Sequence, residues 1–119
     1  MNKNLKERGE DAAAAFLERV GIHVLERDWR CDAGAIDIVA MDGETLVIVV
    51  VKTRQSGHQE ESQTVSAATG RRLKKLAKAY IEHTDLGVIG WRVDRIDLLV
   101  ISDDRALLRH HRALLTPTD

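Results

Sequence analysis

Residues 36–53 read IDIVAMDGETLVIVVVKT, two apolar runs set on either side of Asp42-Gly43. That dipeptide supplies the positive φ angles of a tight hairpin turn, so Ile36 to Met41 and Thr45 to Thr53 are expected to be strands that pair antiparallel. Strand side chains alternate between faces, so Val50 and Lys52 share one face, while Asp37 lies across the hairpin on the partner strand. Lys52 is the polar exception at the end of the run Val47 to Val51. Either it carries its stem over apolar surface to reach solvent, or it works together with Asp37.

Upstream of the hairpin, Leu5, Ala12, Ala13, Phe16, Leu17 and Val20 recur at helical spacing, with Lys6, Glu7, Arg8, Asp11 and Glu18 turned away, and Gly21 ends the helix. Ile22 to Trp29 alternates partly with period two and is rich in strand formers at its start, which predicts a first strand. Downstream, Arg54 to Ser62 reads as a polar loop. Leu73, Leu76, Ala77, Tyr80 and Ile81 then mark a second helix. A turn around Gly87 to Gly90 leads into Arg92 to Ile101, whose apolar tail predicts a buried strand. If that strand runs parallel to Thr45 to Thr53, the second helix is the crossover between them. Arg105 to Leu115 is open between a short helix and an edge strand. The order α-β-β-β-α-β predicts an α/β fold, a mixed sheet flanked by helices, as a single domain over residues 1–119.

Composition narrows the function classes. With 44% hydrophobic and 31% charged residues the chain has the means to fold around a core. No apolar stretch, Leu46 to Val51 included, approaches the roughly 20 residues needed to cross a bilayer, and the N-terminus is charged, so a cytoplasmic protein with no membrane role is expected. The lone Cys31 cannot form an internal disulfide and is read as structural. A formal net charge of -1 excludes an indiscriminate polycation, so any nucleic-acid binding has to use a local patch. Arg71, Arg72, Lys74, Lys75 and Lys78 form such a patch on the second helix, with no acidic residue before Glu82. A block this dense is either a phosphate-binding face or a solvated one. Arg30 and Arg54 would extend it as a basic rim. With one Tyr, one Phe and two Trp, the chain has little means of stacking on unpaired bases, which favours structured or duplex DNA as a partner. His110 and His111 are adjacent, so they cannot share a face to chelate together, and both are expected at the surface.

A resemblance runs through Arg8-Gly9-Glu10-Asp11, Asp28-Trp29-Arg30, Gly34-Ala35-Ile36-Asp37, Val51-Lys52-Thr53-Arg54, Arg71-Arg72-Leu73 and Arg95-Ile96-Asp97, over about positions 8 to 101. The chain resembles the YraN-like family of bacterial endonucleases, whose fold is similar to the PD-(D/E)xK nucleases and archaeal Holliday-junction resolvases. The resemblance implies a restriction-endonuclease-like αβββαβ core. It also implies a Mg²⁺ or Mn²⁺ site in which Asp37 and a glutamate of the next strand hold the metal, with Lys52 as a catalytic partner and Glu10 as a further catalytic and metal-binding carboxylate. Hard divalent ions take carboxylate oxygens, and such an ion activates water and offsets charge on a scissile phosphate. Here the chain departs from the family pattern. Ala35 and Val50 stand where the resemblance places glutamates, and Thr69 stands where it places a lysine.

Neither alanine nor valine can coordinate a metal, and loss of even an outer residue of a metal site typically costs about 10 to 100-fold. The expectation is therefore a nucleic-acid-binding member of the nuclease fold with a degenerate active site and weak or lost cleavage. A second reading keeps an active metal-dependent, structure-specific endonuclease working with Asp37, Lys52 and Glu10. A third is an interaction module or homodimer with neither metal nor activity. With the neighbouring glutamate gone, Lys52 is expected to form an ion pair with Asp37.

Overall fold

The computed structural model describes residues 4–55, 65–87 and 89–118. In chain order the elements are α1 (Leu5–Arg19), β1 (His23–Cys31), β2 (Gly34–Asp42), β3 (Thr45–Gln55), α2 (Ala67–Thr84), β4 (Gly90–Ser102) and β5 (Arg105–Leu115). The strands form one sheet in the order β1-β2-β3-β4-β5. Every neighbouring pair is antiparallel except β3 and β4, which run parallel with α2 as the crossover between them. This is the expected α/β core. Most of the segment read as a polar loop, from residue 56 onward, lies outside the described residues.

Local chemistry sets the element ends. Asn4 caps α1, its Oδ1 accepting from the Glu7 N–H at 2.8 Å, and Gly21 leaves the helix at φ 89°. Gly43 takes φ 59° in the β2–β3 hairpin, as the Asp42-Gly43 signal requires. Ser66 caps α2 by accepting from the Thr69 N–H at 3.1 Å and donates its own hydroxyl hydrogen to Thr69 Oγ1. Thr69 thus serves the cap.

Each helix covers one face of the sheet. On the α2 side, Leu73, Leu76, Ala77 and Tyr80 pack on Ile36, Val39, Leu46, Ile48 and Val93. On the α1 side, Ala13 and Leu17 pack on Ile38, Ala40, Val47, Val49, Ile96 and Leu98. Burial of each such aliphatic side chain contributes about 1.5 to 3 kcal/mol against exposure, so this two-sided core is the main stabilising term. Among the described residues, no helix is long and apolar enough to cross a membrane.

The last segment resolves to a strand, and its two histidines do not lie at the surface as expected. Asp94 and Asp97 are buried in β4, and a buried carboxylate has to be paired. Asp94 accepts from Arg92 Nε at 2.9 Å and from the Ala113 N–H at 2.9 Å, and lies 2.8 Å from His110 Nε2. Asp97 accepts from Arg95 Nε at 2.7 Å and lies 3.0 Å from His111 Nε2. The adjacent histidines point to opposite faces, and each is drawn to its own aspartate. Their side chains are only 10% and 19% exposed. Arg92 also reaches Asp42 in the hairpin at 2.9 Å; burial works against its charge, and these carboxylates more than offset that.

Gly9 sets the approach of α1 to β3. A methyl group there would run into the Thr53 side chain. Overpacking of this kind costs about 1 to 3 kcal/mol, more than the ~1 kcal/mol that alanine gains over glycine in a helix. Gly9→Ala should therefore lower the urea midpoint, and Thr53→Ala should recover most of that loss in the double variant. A Gly9→Ala protein as stable as the parent would show that the helix can shift to make room.

Candidate functional site

The β2–β3 ladder ends at the pair Ile38↔Val49. Beyond it, β2 keeps only β1 as a neighbour, through Ile36↔Trp29 and Ala35↔Arg30, while β3 keeps only β4, from Val50↔Arg95 to Gln55↔Val100. The two strands therefore fork. Had the ladder continued in register, Val51 would have faced Ile36; instead the Val51 N–H donates to Asp37 Oδ2 at 2.8 Å. The alternation of β2 slips at the same point, because Ile36 packs on the α2 side and Ile38 on the α1 side. Across from Asp37, Asp28 adopts φ 54° between Arg27 and Trp29, a left-handed conformation that aspartate tolerates better than most residues.

A cavity of about 190 Å³ opens at the fork, walled by Ala35, Asp37, Val50 and Lys52 from the sheet and by Arg72 and Leu73 from α2. It thus collects the two positions expected to carry catalysis on β2 and β3, the two positions where the resemblance places glutamates, and one residue of the basic helix. Sequence reasoning placed Arg72 only on a general cationic face; its reach to the fork depends on how α2 docks. An added Cβ at Gly34 would stand 3.4 Å from Arg72 Nη1, so the guanidinium lies over the start of β2.

The Asp37–Lys52 ion pair expected from the sequence does not form among the described residues. Asp37 satisfies one oxygen on the Val51 N–H, and Lys52 emerges exposed. The register partner of Lys52 on β4 is Asp97, which is already engaged by Arg95 and His111. Asp94, Asp97, Arg95 and the two histidines were missed as a set. The available signal was the pair of acids inside the apolar strand Arg92 to Ile101, which required donors from elsewhere.

Glu10 is buried, with 6% of its surface exposed, and Lys6 stands 3.8 Å away one turn earlier. Burial raises its pKa above the ordinary 4.5; Lys6 and Arg27 oppose the rise, while Asp37 and Asp28 add to it. Glu10 and Asp37 thus feel each other's charge. Even so, among the described residues no group of three or more acids, histidines or cysteines could hold a metal ion. Asp37 has committed one oxygen, and Ala35 and Val50 offer none. The donor set does not fit a divalent cation held by the protein alone.

Several of the other basic residues are paired. Arg30 is exposed and sits 3.3 Å from Asp28, Arg27 pairs with Asp11 at 2.9 Å, and Arg112 pairs with Asp42 at 2.8 Å. Arg54 is partly buried beyond Lys52 and is also engaged. By contrast, Arg71, Arg72, Lys74, Lys75 and Lys78 make no ion pair among the described residues, and all but the half-buried Lys74 are exposed.

The αβββαβ core and its forked central strands define a restriction-endonuclease-like α/β domain. The chain belongs to the uncharacterised protein family UPF0102, whose model matches residues 9–101, and this is the YraN-like family that its motifs resemble. Similar relatives include UPF0102 proteins of Geobacter sulfurreducens, 39% identical over 92% of this chain and 86% of the relative, and of an Arthrobacter species, 43% identical over 86% and 85%. A UPF0102 protein of Chloroflexus aurantiacus is 44% identical over 81% of this chain and 79% of its own length.

Two outcomes test this geometry. Asp37→Leu strips the Val51 N–H of its acceptor and should cost about 1 to 3 kcal/mol in urea unfolding, whereas Asp37→Asn keeps an acceptor oxygen and most of the stability; equal losses would deny the structural role of the bond. For Glu10, a folded-state pKa above the unfolded one means that its stabilising contribution is full below the unfolded value and lost as pH rises through the folded one. Glu10→Gln should therefore raise the thermal midpoint near neutral pH, by an increment that fades on acidification below the ordinary carboxylate range. An increment that grew on acidification would contradict the burial argument.

Proposed function

We propose that this protein binds duplex or branched DNA through the basic face of α2 and the adjoining fork, with metal-dependent cleavage weak or lost. The observation that carries the reading is the contrast in charge pairing. Arg27, Arg92, Arg95 and Arg112 elsewhere in the fold are matched to acids, while the five of α2 make no ion pair among the described residues and stand together on one helix. Unpaired like charges along one helix repel one another, and a polyanion removes that penalty by releasing its own counterions on contact. With a net charge of only -1, nucleic-acid binding would have to rest on a local patch such as this one. Contacts of this kind reach phosphates and carry no base preference.

A second reading, a working structure-specific endonuclease with Asp37, Lys52 and Glu10 in catalytic roles and Mg²⁺ or Mn²⁺ recruited partly by substrate phosphate, draws support from Asp37 and Lys52 sharing one cavity. The loss of both glutamate positions favours the binding reading over it. A homodimeric interaction module has no observation of comparable weight.

Binding of a labelled duplex and a labelled four-way junction should be salt-sensitive and unaffected by EDTA. The triple variant Lys74→Ala, Lys75→Ala, Lys78→Ala should flatten the plot of log K against log salt by roughly 2 to 3. No binding at low salt, or an unchanged slope, defeats the reading. For cleavage, the parent with Mg²⁺ should be inactive or nearly so, and the double variant Ala35→Glu, Val50→Glu should cut. Parent cleavage that disappears in Asp37→Ala would favour the enzyme instead.

A further inference from the structure

We propose that the β2–β3 fork is a metal-independent phosphate site, in which Lys52 and Arg72 bind a phosphate oxyanion directly in the space beside Ala35 and Val50. This rests on the nucleic-acid reading only for the source of the phosphate, a backbone phosphodiester.

The charge around the cavity supports a direct contact. Two cations, Lys52 and Arg72, face one carboxylate, Asp37, across a volume of about 190 Å³. Glutamates at positions 35 and 50 would set three carboxylates against the same two cations, and such a site would repel phosphate unless a divalent cation came between them. With alanine and valine the sign reverses. The residues that fail to hold a metal are therefore the ones that make it unnecessary for binding.

Geometry points the same way. Asp37 turns one oxygen onto the Val51 N–H at 2.8 Å, which holds its charge at the fork's apex. Neither Lys52 nor Arg72 is neutralised by an ion pair among the described residues, and both are exposed. Val50 and Lys52 alternate onto the same face of β3, so the apolar side chain lies next to the ammonium. The Arg72 guanidinium lies over the start of β2, 3.4 Å from where a Cβ at Gly34 would stand, and a planar guanidinium can grip two phosphate oxygens at once while the lysine supplies a point charge. The cavity far exceeds the ~30 Å³ that one water occupies in the liquid, so a tetrahedral oxyanion can enter.

The test uses the ¹⁵N-labelled protein in EDTA, titrated separately with inorganic phosphate and with dimethyl phosphate, a diester monoanion. The Val51 amide and the Arg72 Nε–H report occupancy. Saturable shifts at both are expected, with no requirement for Mg²⁺, and Lys52→Met or Arg72→Gln should weaken binding by roughly tenfold or more. Asp37→Asn should strengthen it, because the opposing charge is lost while an acceptor for Val51 remains; a metal-bridged site would weaken with the same change. Val50→Glu should abolish binding in EDTA. Absence of saturable shifts, a requirement for Mg²⁺, or weakening by Asp37→Asn overturns the proposal. Dimethyl phosphate binding alongside DNA binding identifies the diester as the source, and phosphate binding without any DNA binding supports the site while defeating the nucleic-acid reading. DNA binding that depends on Lys74, Lys75 and Lys78 with no phosphate response at the fork overturns the site alone.

Discussion

A backbone N–H at the end of a strand ladder has to find an acceptor, and in this fold the Val51 N–H finds the side chain of Asp37 at 2.8 Å. That bond closes the apex of a fork that the backbone leaves open. β2 turns away toward β1 and β3 stays with β4, so the sheet is continuous below Ile38↔Val49 and split above it. A split in the middle of a sheet is a ready-made cleft, because neither strand can fill the gap with main chain. Side chains from both strands, and from whichever helix passes over them, are brought to one place. Here that helix is α2, and the charged residue it brings is Arg72.

Charge pairing in the rest of the sheet determines how the cleft looks electrically. Asp94 and Asp97 are buried in β4 and consume Arg92, Arg95 and both histidines of β5. Burial makes those pairings obligatory, since an unpaired interior carboxylate would be costly. Edge strand β5 is thereby tied to the sheet by side chains as well as by its ladder. The acids near the fork are also committed, Asp37 to Val51 and Glu10 in part to Lys6. The bases left without an ion-pair partner among the described residues include the five of α2 and Lys52. A protein of nearly balanced total charge can in this way carry a cluster of bases on one helix while its buried acids are paired within the fold.

Ala35 and Val50 line the cavity against this background. In a metal-dependent nuclease the carboxylates gather the cation, and the cation makes phosphate acceptable to an otherwise negative site. On the proposed reading, alanine and valine at both positions would remove the cavity's claim on a cation and its hostility to phosphate together. Asp37 serves the fork as the acceptor of the Val51 N–H, and Val50 packs against the edge of the α2-side core.

Local signals in the sequence determined most of the fold. Asp42-Gly43 specified the hairpin, because a tight turn is decided by the φ angles its own two residues allow. The spacing of Ala13 and Leu17, and of Leu73, Leu76, Ala77 and Tyr80, specified two helices with one buried face each, because that periodicity is a property of the helix itself. That Asp37, Val50 and Lys52 would lie near one another was legible for the same reason, all three belonging to one hairpin. Only the tertiary structure decided that Arg105 to Leu115 is a strand, that His110 and His111 turn inward to Asp94 and Asp97, and that Asp37 serves Val51 while Lys52 is left to the cavity. Those outcomes depend on which acceptors and donors remain unmatched once distant segments meet, and no window of sequence contains both halves of such a match.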